Sequence, residues 1–212
     1  MKVLLPAAYF PPISYFAHLI RQEAIIECKE HFVKQSIRNR CTILGANGPL
    51  NLLVPRTKPT KRQTMEDAIT HDEADWRKLH WRSLDSAYRN SPYFEYYEDE
   101  LKPFFETGER NILTLNLTSI ETICAILGLE VSMKKTTDYV ADFDGLDLRN
   151  VWNKIPYRKN NPVESYPRYI QVFNDRHPFV EDLSILDLLF CLGPKSVDYL
   201  NNLCLTHPIG RK

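Results

Sequence analysis

Val3-Leu4-Leu5-Pro6-Ala7-Ala8-Tyr9-Phe10-Pro11-Pro12, then Ser14-Tyr15-Phe16, then Ala24-Ile25-Ile26-Glu27-Cys28 is the stretch that decides the fold. Val3 to Leu5 begins a short apolar strand. The prolines that follow exclude helix interior, because each removes a backbone donor. Ser14 suits an N-cap, and Tyr15, Phe16, Leu19 and Ile20 recur at helical spacing. Ala24 to Cys28 is again strand-like. Strand, helix and strand in under about thirty residues predict a βαβ unit with parallel strands and a right-handed crossover.

Asn39 to Leu44 and Leu50 to Val54 flank Gly45-Ala46-Asn47-Gly48. Asn-Gly between β-prone runs predicts a hairpin, expected as an antiparallel pair added to the sheet. Pro55 to Arg62 is a basic, proline-bearing loop. Asp75 opens a helix on which Trp76, Leu79, His80, Leu84, Ala87 and Tyr88 share a face. Ser91-Pro92 predicts the start of another helix. Thr118-x-x-Glu121 reads as a capping box, and Gly128 as a stop. Val131 to Lys134 is expected as a strand, 136–167 as irregular structure, and Tyr169 to Phe173 as an alternating strand. Ser184 predicts the cap of an apolar helix stopped by Gly193-Pro194, with a shorter helix near Val197 to Leu203. The expected architecture is α/β: a small mixed sheet begun by a parallel βαβ unit, plus a hairpin, with helices around it. It is expected to form one domain over 1–212, basic βαβ plus hairpin to residue 62, helical over 63–130, and mixed over 131–212.

The 212 residues carry 27 Lys+Arg and 27 Asp+Glu, a balance unlike that of histone-like or acidic-tail proteins. The charge is nevertheless uneven. Residues 1–62 hold ten Lys/Arg against Glu23, Glu27 and Glu30, so they carry +7 and the remainder −7. Either an anionic ligand lies near the basic third, or the two parts pack against each other. The five cysteines form no C-x-x-C and sit among apolar neighbours. They point to a reducing compartment, and Pro6 ends the opening apolar run before it reaches signal-peptide length. A cytoplasmic location is therefore expected, with no membrane span and no nucleic-acid partner.

Ligands of open α/β sheets bind outside the carboxyl ends of the strands, where helix N-termini attract anions. Tyr9 and Phe10 lie at such an end, and with Tyr15 are candidates to line or stack on a ligand. The second strand leads into Lys34, Arg38 and Arg40, cations suited to phosphate or carboxylate. His18 follows one turn into the first helix and is a second candidate phosphate contact. His80 is the candidate general acid/base, since an ordinary histidine titrates near neutrality. Each has a plainer reading: core aromatics, a solvated basic rim, hydrogen-bonded interior histidines. No G-x-G-x-x-G, Walker loop or G-x-S-x-G is present. His31, His71, His177 and His207 lack metal spacing, so neither metal nor cofactor is expected. Asp142-Phe143-Asp144 is a D-x-D whose chance occurrence outweighs a cation role, and Asp187 is placed to favour a helix N-terminus.

Pro6-x-x-Tyr9-Phe10-Pro11 with Tyr15-Phe16, Phe32 to Arg40, Leu53-Val54-Pro55, Trp76…His80, Tyr88-x-x-Ser91-Pro92-Tyr93-Phe94, Gln171-Val172-Phe173 and Leu183 to Phe190 occur in that order. Together they resemble the WbqC-like protein family. Members often lie in bacterial loci for O-antigen and other surface polysaccharides, and glycine or aminoacyl transfer to a sugar has been suspected for some. The resemblance adds Gln35, Asn39, Tyr88 and Gln171 to the substrate-binding candidates. Between Val131 and Tyr169 this chain has a polar, proline-containing stretch where longer members usually carry a further helix and a glycine-bearing segment. The first unit is also similar, more weakly, to nucleotidyl-transferring HUP-type domains such as pantothenate synthetase. Their histidine pair is not matched, because position 15 is Tyr and only His18 remains.

The resemblance implies a transferase of surface-polysaccharide assembly acting on an anionic activated sugar or aminoacyl donor. The alternatives are a non-catalytic ligand-binding or scaffold protein of the same pathway, and a HUP-like nucleotidyl transferase.

Overall fold

The computed structural model describes residues 1–58, 61, 63–71, 75–153 and 162–206. Strand β1 (Lys2–Pro6) pairs in parallel with β2 (Glu23–Glu27), from Lys2 opposite Glu23 to Pro6 opposite Glu27. Helix α1 (Ile13–Arg21) connects them, as the 3–28 stretch predicts. The hairpin is β3 (Arg40–Gly45) and β4 (Gly48–Leu53). Its two-residue loop is Ala46-Asn47, and Gly48 takes a φ of +101° that an L side chain would resist.

Three helices follow: α2 (Trp76–Tyr88), α3 (Phe94–Glu106) and α4 (Ile112–Ile126). Two short strands complete the main sheet. β5 (Lys134–Lys135) lies parallel beside β2, and β6 (Leu146–Asp147) lies parallel beside β1, for the order β5-β2-β1-β6. The chain closes with α5 (Ile185–Leu192), a 3-10 turn (Gly193–Lys195) and α6 (Ser196–Asn202).

Several local expectations are corrected. The hairpin is a separate two-stranded sheet, not an extension of the main one, because β5 and β6 already occupy the outer edges of β2 and β1. Cys41, Ile43 and Leu52 turn inward on its buried side, and it packs against α2 and α5. Helix α1 starts at Ile13 with Pro12 as N-cap at φ −68°, so Ser14 is inside the first turn and caps nothing. Ser91-Pro92 precedes α3, whose N-cap is Tyr93. Thr118 and Glu121 lie mid-helix in α4, which Asn111 caps by accepting from the Thr114 N–H at 3.0 Å.

Tyr169 to Phe173 forms no strand. The Gln171 amide donates to the Val180 carbonyl and accepts from its N–H, both at 2.9 Å, so one side chain does the work of a strand neighbour. Phe173 then takes a φ of +59°, which ends the extended run. The 136–167 stretch contains β6, which the sequence does not signal; its residues 154–161 lie outside the described residues, as do 59, 60 and 62 of the basic loop. The core runs from Val3 and Leu5 through α1 to Leu84, Phe94, Leu101, Ile120, Leu186 and Phe190, all buried.

Candidate functional site

The carboxyl ends of β1, β2 and β6 lie side by side, and β1 is the switch point: β2 and β5 extend the sheet on one side of it and β6 on the other. Such an edge is the common ligand position in open α/β sheets. Here it carries a network of buried charge. Glu27 is fully buried at the end of β2. It accepts from the Lys29 N–H (2.8 Å), the Thr136 hydroxyl (2.8 Å), the Val140 N–H (3.0 Å) and Arg149 Nη1 (3.3 Å). Arg149, just beyond β6, also holds Asp147 through Nε and Nη2.

Arg38 is fully buried too. It donates in bidentate fashion to Glu30, Nε to Oε1 at 2.8 Å and Nη2 to Oε2 at 2.6 Å. Its remaining donors reach Asn153 Oδ1 (2.7 Å), Ser36 Oγ (3.3 Å) and the Arg149 carbonyl (3.1 Å). Burial outweighs the arginine and raises the Glu30 pKa. Every donor of the Arg38 guanidinium is thus engaged inside the protein. Lys34 is exposed and Arg40 half-buried at the start of β3. Arg38, expected to join them at one mouth, is fully buried and offers no surface there.

The aromatics are interior as well. Tyr9 and Phe10 have no accessible surface, so they form no lip. The Tyr9 hydroxyl lies 3.0 Å from His80 Nδ1, and His80 Nε2 lies 3.1 Å from the Leu53 carbonyl. A carbonyl only accepts, so Nε2 carries the proton and Nδ1 accepts from Tyr9. Burial lowers the His80 pKa to about 4 and keeps the ring neutral. Phe10, at φ +36°, sits 4.8 Å from the Phe104 ring. Ser119 Oγ accepts from its N–H, and the Ser184 hydroxyl donates to its carbonyl. Tyr15 donates to the Pro6 carbonyl at 2.9 Å, and His18 Nε2 to the Pro162 carbonyl at 3.0 Å. Gln35 is exposed at φ +58°. Asn39 Nδ2 donates to the Val54 carbonyl at 2.9 Å.

The α1 N-terminus, where an anion is expected, already holds one. Asp182 accepts from the Ser14 N–H and hydroxyl, both at 2.8 Å. Burial pushes its pKa up to about 6. The Ser14 hydroxyl in turn accepts from Trp152 Nε1 at 3.0 Å. Glu27, Glu30, Arg149 and Asp182 line this edge, and sequence reading does not single them out. Their signal is weak, because each is an ordinary charged residue until a partner such as Arg38 for Glu30, Glu27 for Arg149 or Ser14 for Asp182 is known.

Two candidates meet elsewhere. Tyr88 donates to Asp187 Oδ1 (2.8 Å), while Tyr169 (2.6 Å) and Gln171 Nε2 (3.1 Å) donate to Oδ2. Burial raises the Asp187 pKa against these three donors. Over this network opens a cleft of about 650 Å³ whose walls include Asn90, Ser91, Tyr169, Gln171, Phe173 and Asn174. An adjoining space of about 360 Å³ shares Tyr169, Gln171 and Asn174 and adds Arg168 and His177. The larger cleft is lined by neutral amide and hydroxyl groups beside aromatic rings, while the adjoining space adds the Arg168 cation. Among the described residues no three His, Cys, Asp or Glu side chains are placed to hold a metal, and no helix is long and apolar enough to cross a membrane.

Comparison with known proteins agrees with the sequence resemblance. The uncharacterized protein Rv1507c of Mycobacterium tuberculosis is 28% identical over 233 aligned positions, covering 93% of this chain and 96% of that protein. No solved structure matches the chain. The family model for the WbqC-like protein family matches residues 7–157, more than half of the sequence, and the chain belongs to that family.

Proposed function

We propose that this protein is a transferase of bacterial cell-surface polysaccharide assembly that holds the sugar portion of a substrate in the cleft beside Tyr169 to Asn174. The observation that carries the reading is the lining of that cleft. Asn90, Ser91 and Asn174 offer neutral donors and acceptors, and Tyr169 and Phe173 offer aromatic faces. Neutral hydrogen-bonding groups with rings suit a hydroxyl-rich ligand, and the volume is that of a small-molecule site. The buried Asp187 fixes Tyr169 and Gln171 in place, so this wall is organised before a ligand arrives. Glycine or aminoacyl transfer to the sugar remains the family-based form of the reaction.

Arg38 is unsuited to the donor, because Glu30 neutralises it. Lys34 and Arg40 remain the candidate donor contacts from the cationic trio. His80 serves in this reading as a positioning residue, holding Tyr9.

The test is a thermal-shift screen of sugars, nucleotide-sugars and free amino acids. A sugar-bearing compound is expected to raise Tm, and Asn90→Ala or Asn174→Ala to remove the shift. No stabilisation by any sugar-bearing compound, or full shifts in both variants, would reject the cleft. A non-catalytic binding role is the second reading, favoured by the burial of both ring nitrogens of His80 in hydrogen bonds. Turnover of the host's own polysaccharide precursors by the purified protein separates the two.

A further inference from the structure

The groove between α2 and α3 encloses about 450 Å³ and is chemically unlike the Tyr169 cleft. Its floor includes Trp81, half-buried, and Phe105, whose ring lies 5.6 Å from the indole. Its rim carries Arg77, Lys78, Arg82 and Lys102 against Asp75 and Glu106.

The ion pairs decide what charge is left over. Lys78 and Asp75 pair with each other at 2.8 Å and cancel. Arg82, Lys102 and Glu106 make no ion pair or hydrogen bond among the described residues. Arg77 donates through Nη2 to the Glu109 carbonyl, which leaves its charge uncompensated. Among the described residues three unpaired cations face one unpaired carboxylate, a net +2 on the groove.

A second observation is independent of that count. Among the described residues the buried Arg77 Nε–H has no acceptor, nor has the buried indole N–H of the adjoining Trp76, over whose ring the Arg77 guanidinium sits at 4.4 Å. Buried donors almost always find acceptors. Of the two, only Arg77 lines the groove, so its guanidinium, short of an acceptor, is the donor that an anion's oxygens there would engage. Ordinary arginine stems lying along an apolar surface would explain the packing, but not the orphaned Nε–H.

We propose that the α2–α3 groove binds a phosphate monoester of a ring compound, the phosphate against Arg77, Arg82 and Lys102 and the ring on Trp81. A phosphate monoester carries close to two negative charges at neutral pH, which matches the surplus. Its three terminal oxygens supply acceptors for a guanidinium, and an indole is a platform for a base or sugar ring. The site is separate from the Tyr169 cleft and does not rest on the function proposed for it.

The test uses the full chain and Trp81 fluorescence, since Trp76 and Trp152 are buried. Adenosine monophosphate and glucose 1-phosphate are titrated beside adenosine, glucose and orthophosphate. Saturable quenching is expected with at least one ester, weakening on added salt. The ester that binds identifies the ring, base or sugar. Arg82→Ala and Lys102→Ala, both at exposed positions with folding checked by circular dichroism, should each weaken binding about tenfold, the loss of one charge-assisted contact. Trp81→Phe should abolish the optical signal while calorimetry still detects binding. Asn174→Ala should leave it intact, so failure here and failure of the cleft are told apart. The proposal is overturned if neither ester binds, if adenosine and glucose bind as tightly as their phosphates, or if both charge variants bind unchanged.

Discussion

The Tyr9 hydroxyl donates to Nδ1 of His80 across 3.0 Å, tying the turn after β1 to α2 from positions 71 residues apart. His80 passes the link on to the Leu53 carbonyl at the end of the hairpin. Tyr9→Phe removes the donor and leaves a buried ring nitrogen without a partner, so it should cost about 1–3 kcal/mol. Urea unfolding of the two proteins at neutral pH measures this. If the variant is as stable as the parent, the bond is not a stabilising one.

Acid titration should separate two opposed contributions. His80 titrates near 6.5 when unfolded and near 4 when folded. Its contribution is therefore present above pH 6.5 and is lost as pH falls toward 4, by roughly 3 kcal/mol in all. Asp182 runs the other way: its folded pKa is raised from 3.8 to about 6, so its contribution is present at low pH and lost as pH rises through 6. The two nearly offset one another in the native protein. Asp182→Asn deletes one of them, and its stability should fall more steeply between pH 6.5 and 4 than the parent's. Matching slopes would disprove the opposition.

Replacement of Arg38 should behave as loss of an interior ion-pair partner. Arg38→Ala strands Glu30 in a buried position and should cost about 3–5 kcal/mol. The double replacement Arg38→Met with Glu30→Leu removes both charges and should recover most of that loss, as read from urea midpoints. A stable Arg38→Ala protein would return Arg38 to the list of ligand contacts.

At the end of α5, Gly193 takes φ +54° and a Cβ there would lie 2.5 Å from the Tyr93 ring. Tyr93 cannot easily withdraw, since its N–H donates to the Phe190 carbonyl at 3.1 Å. Gly193→Ala combines left-handed strain with a ring clash and should cost about 1–3 kcal/mol. Calorimetric Tm values check it.

Thiol reactivity should single out one cysteine. Cys28, Cys41, Cys124 and Cys191 are buried, and Cys204 is exposed. Burial raises the thiol pKa of all four buried residues, to about 12 for Cys41 and Cys124. The thiolate is the reactive form, so an aromatic disulfide reagent should modify Cys204 in the native protein and the other four only after unfolding. Mass mapping that finds Cys41 modified in the native state would contradict the packing.

Hydrophobic and turn chemistry made most elements legible. Val3 to Leu5 and Ala24 to Ile26 have the strand pattern, Gly48 takes the positive φ the hairpin needs, and Ser184 caps α5 by accepting from the Leu186 N–H. The strand expected at Val131 to Lys134 is met only at its end, by the two-residue β5, and β6 was not legible, because so short a strand has no periodicity of its own and exists only by pairing with β2 and β1. Tyr169 to Phe173 misled for a related reason: its alternation reflects attachment to Asp187 and Val180, not a sheet.

Local order along the chain determined the kind of molecule: a βαβ start, a hairpin, a helical middle, and motifs that place it in its family. Those properties depend on neighbours a few residues apart, and a linear reading carries them. The partners of the charged and polar side chains were decided only on folding. Glu30 claimed Arg38, Asp182 claimed the α1 N-terminus, and Tyr9 turned inward to His80. An isolated arginine looks the same in sequence whether it faces a ligand or a buried carboxylate. The energy that distinguishes the two comes from desolvation and from contacts between segments that meet only in three dimensions.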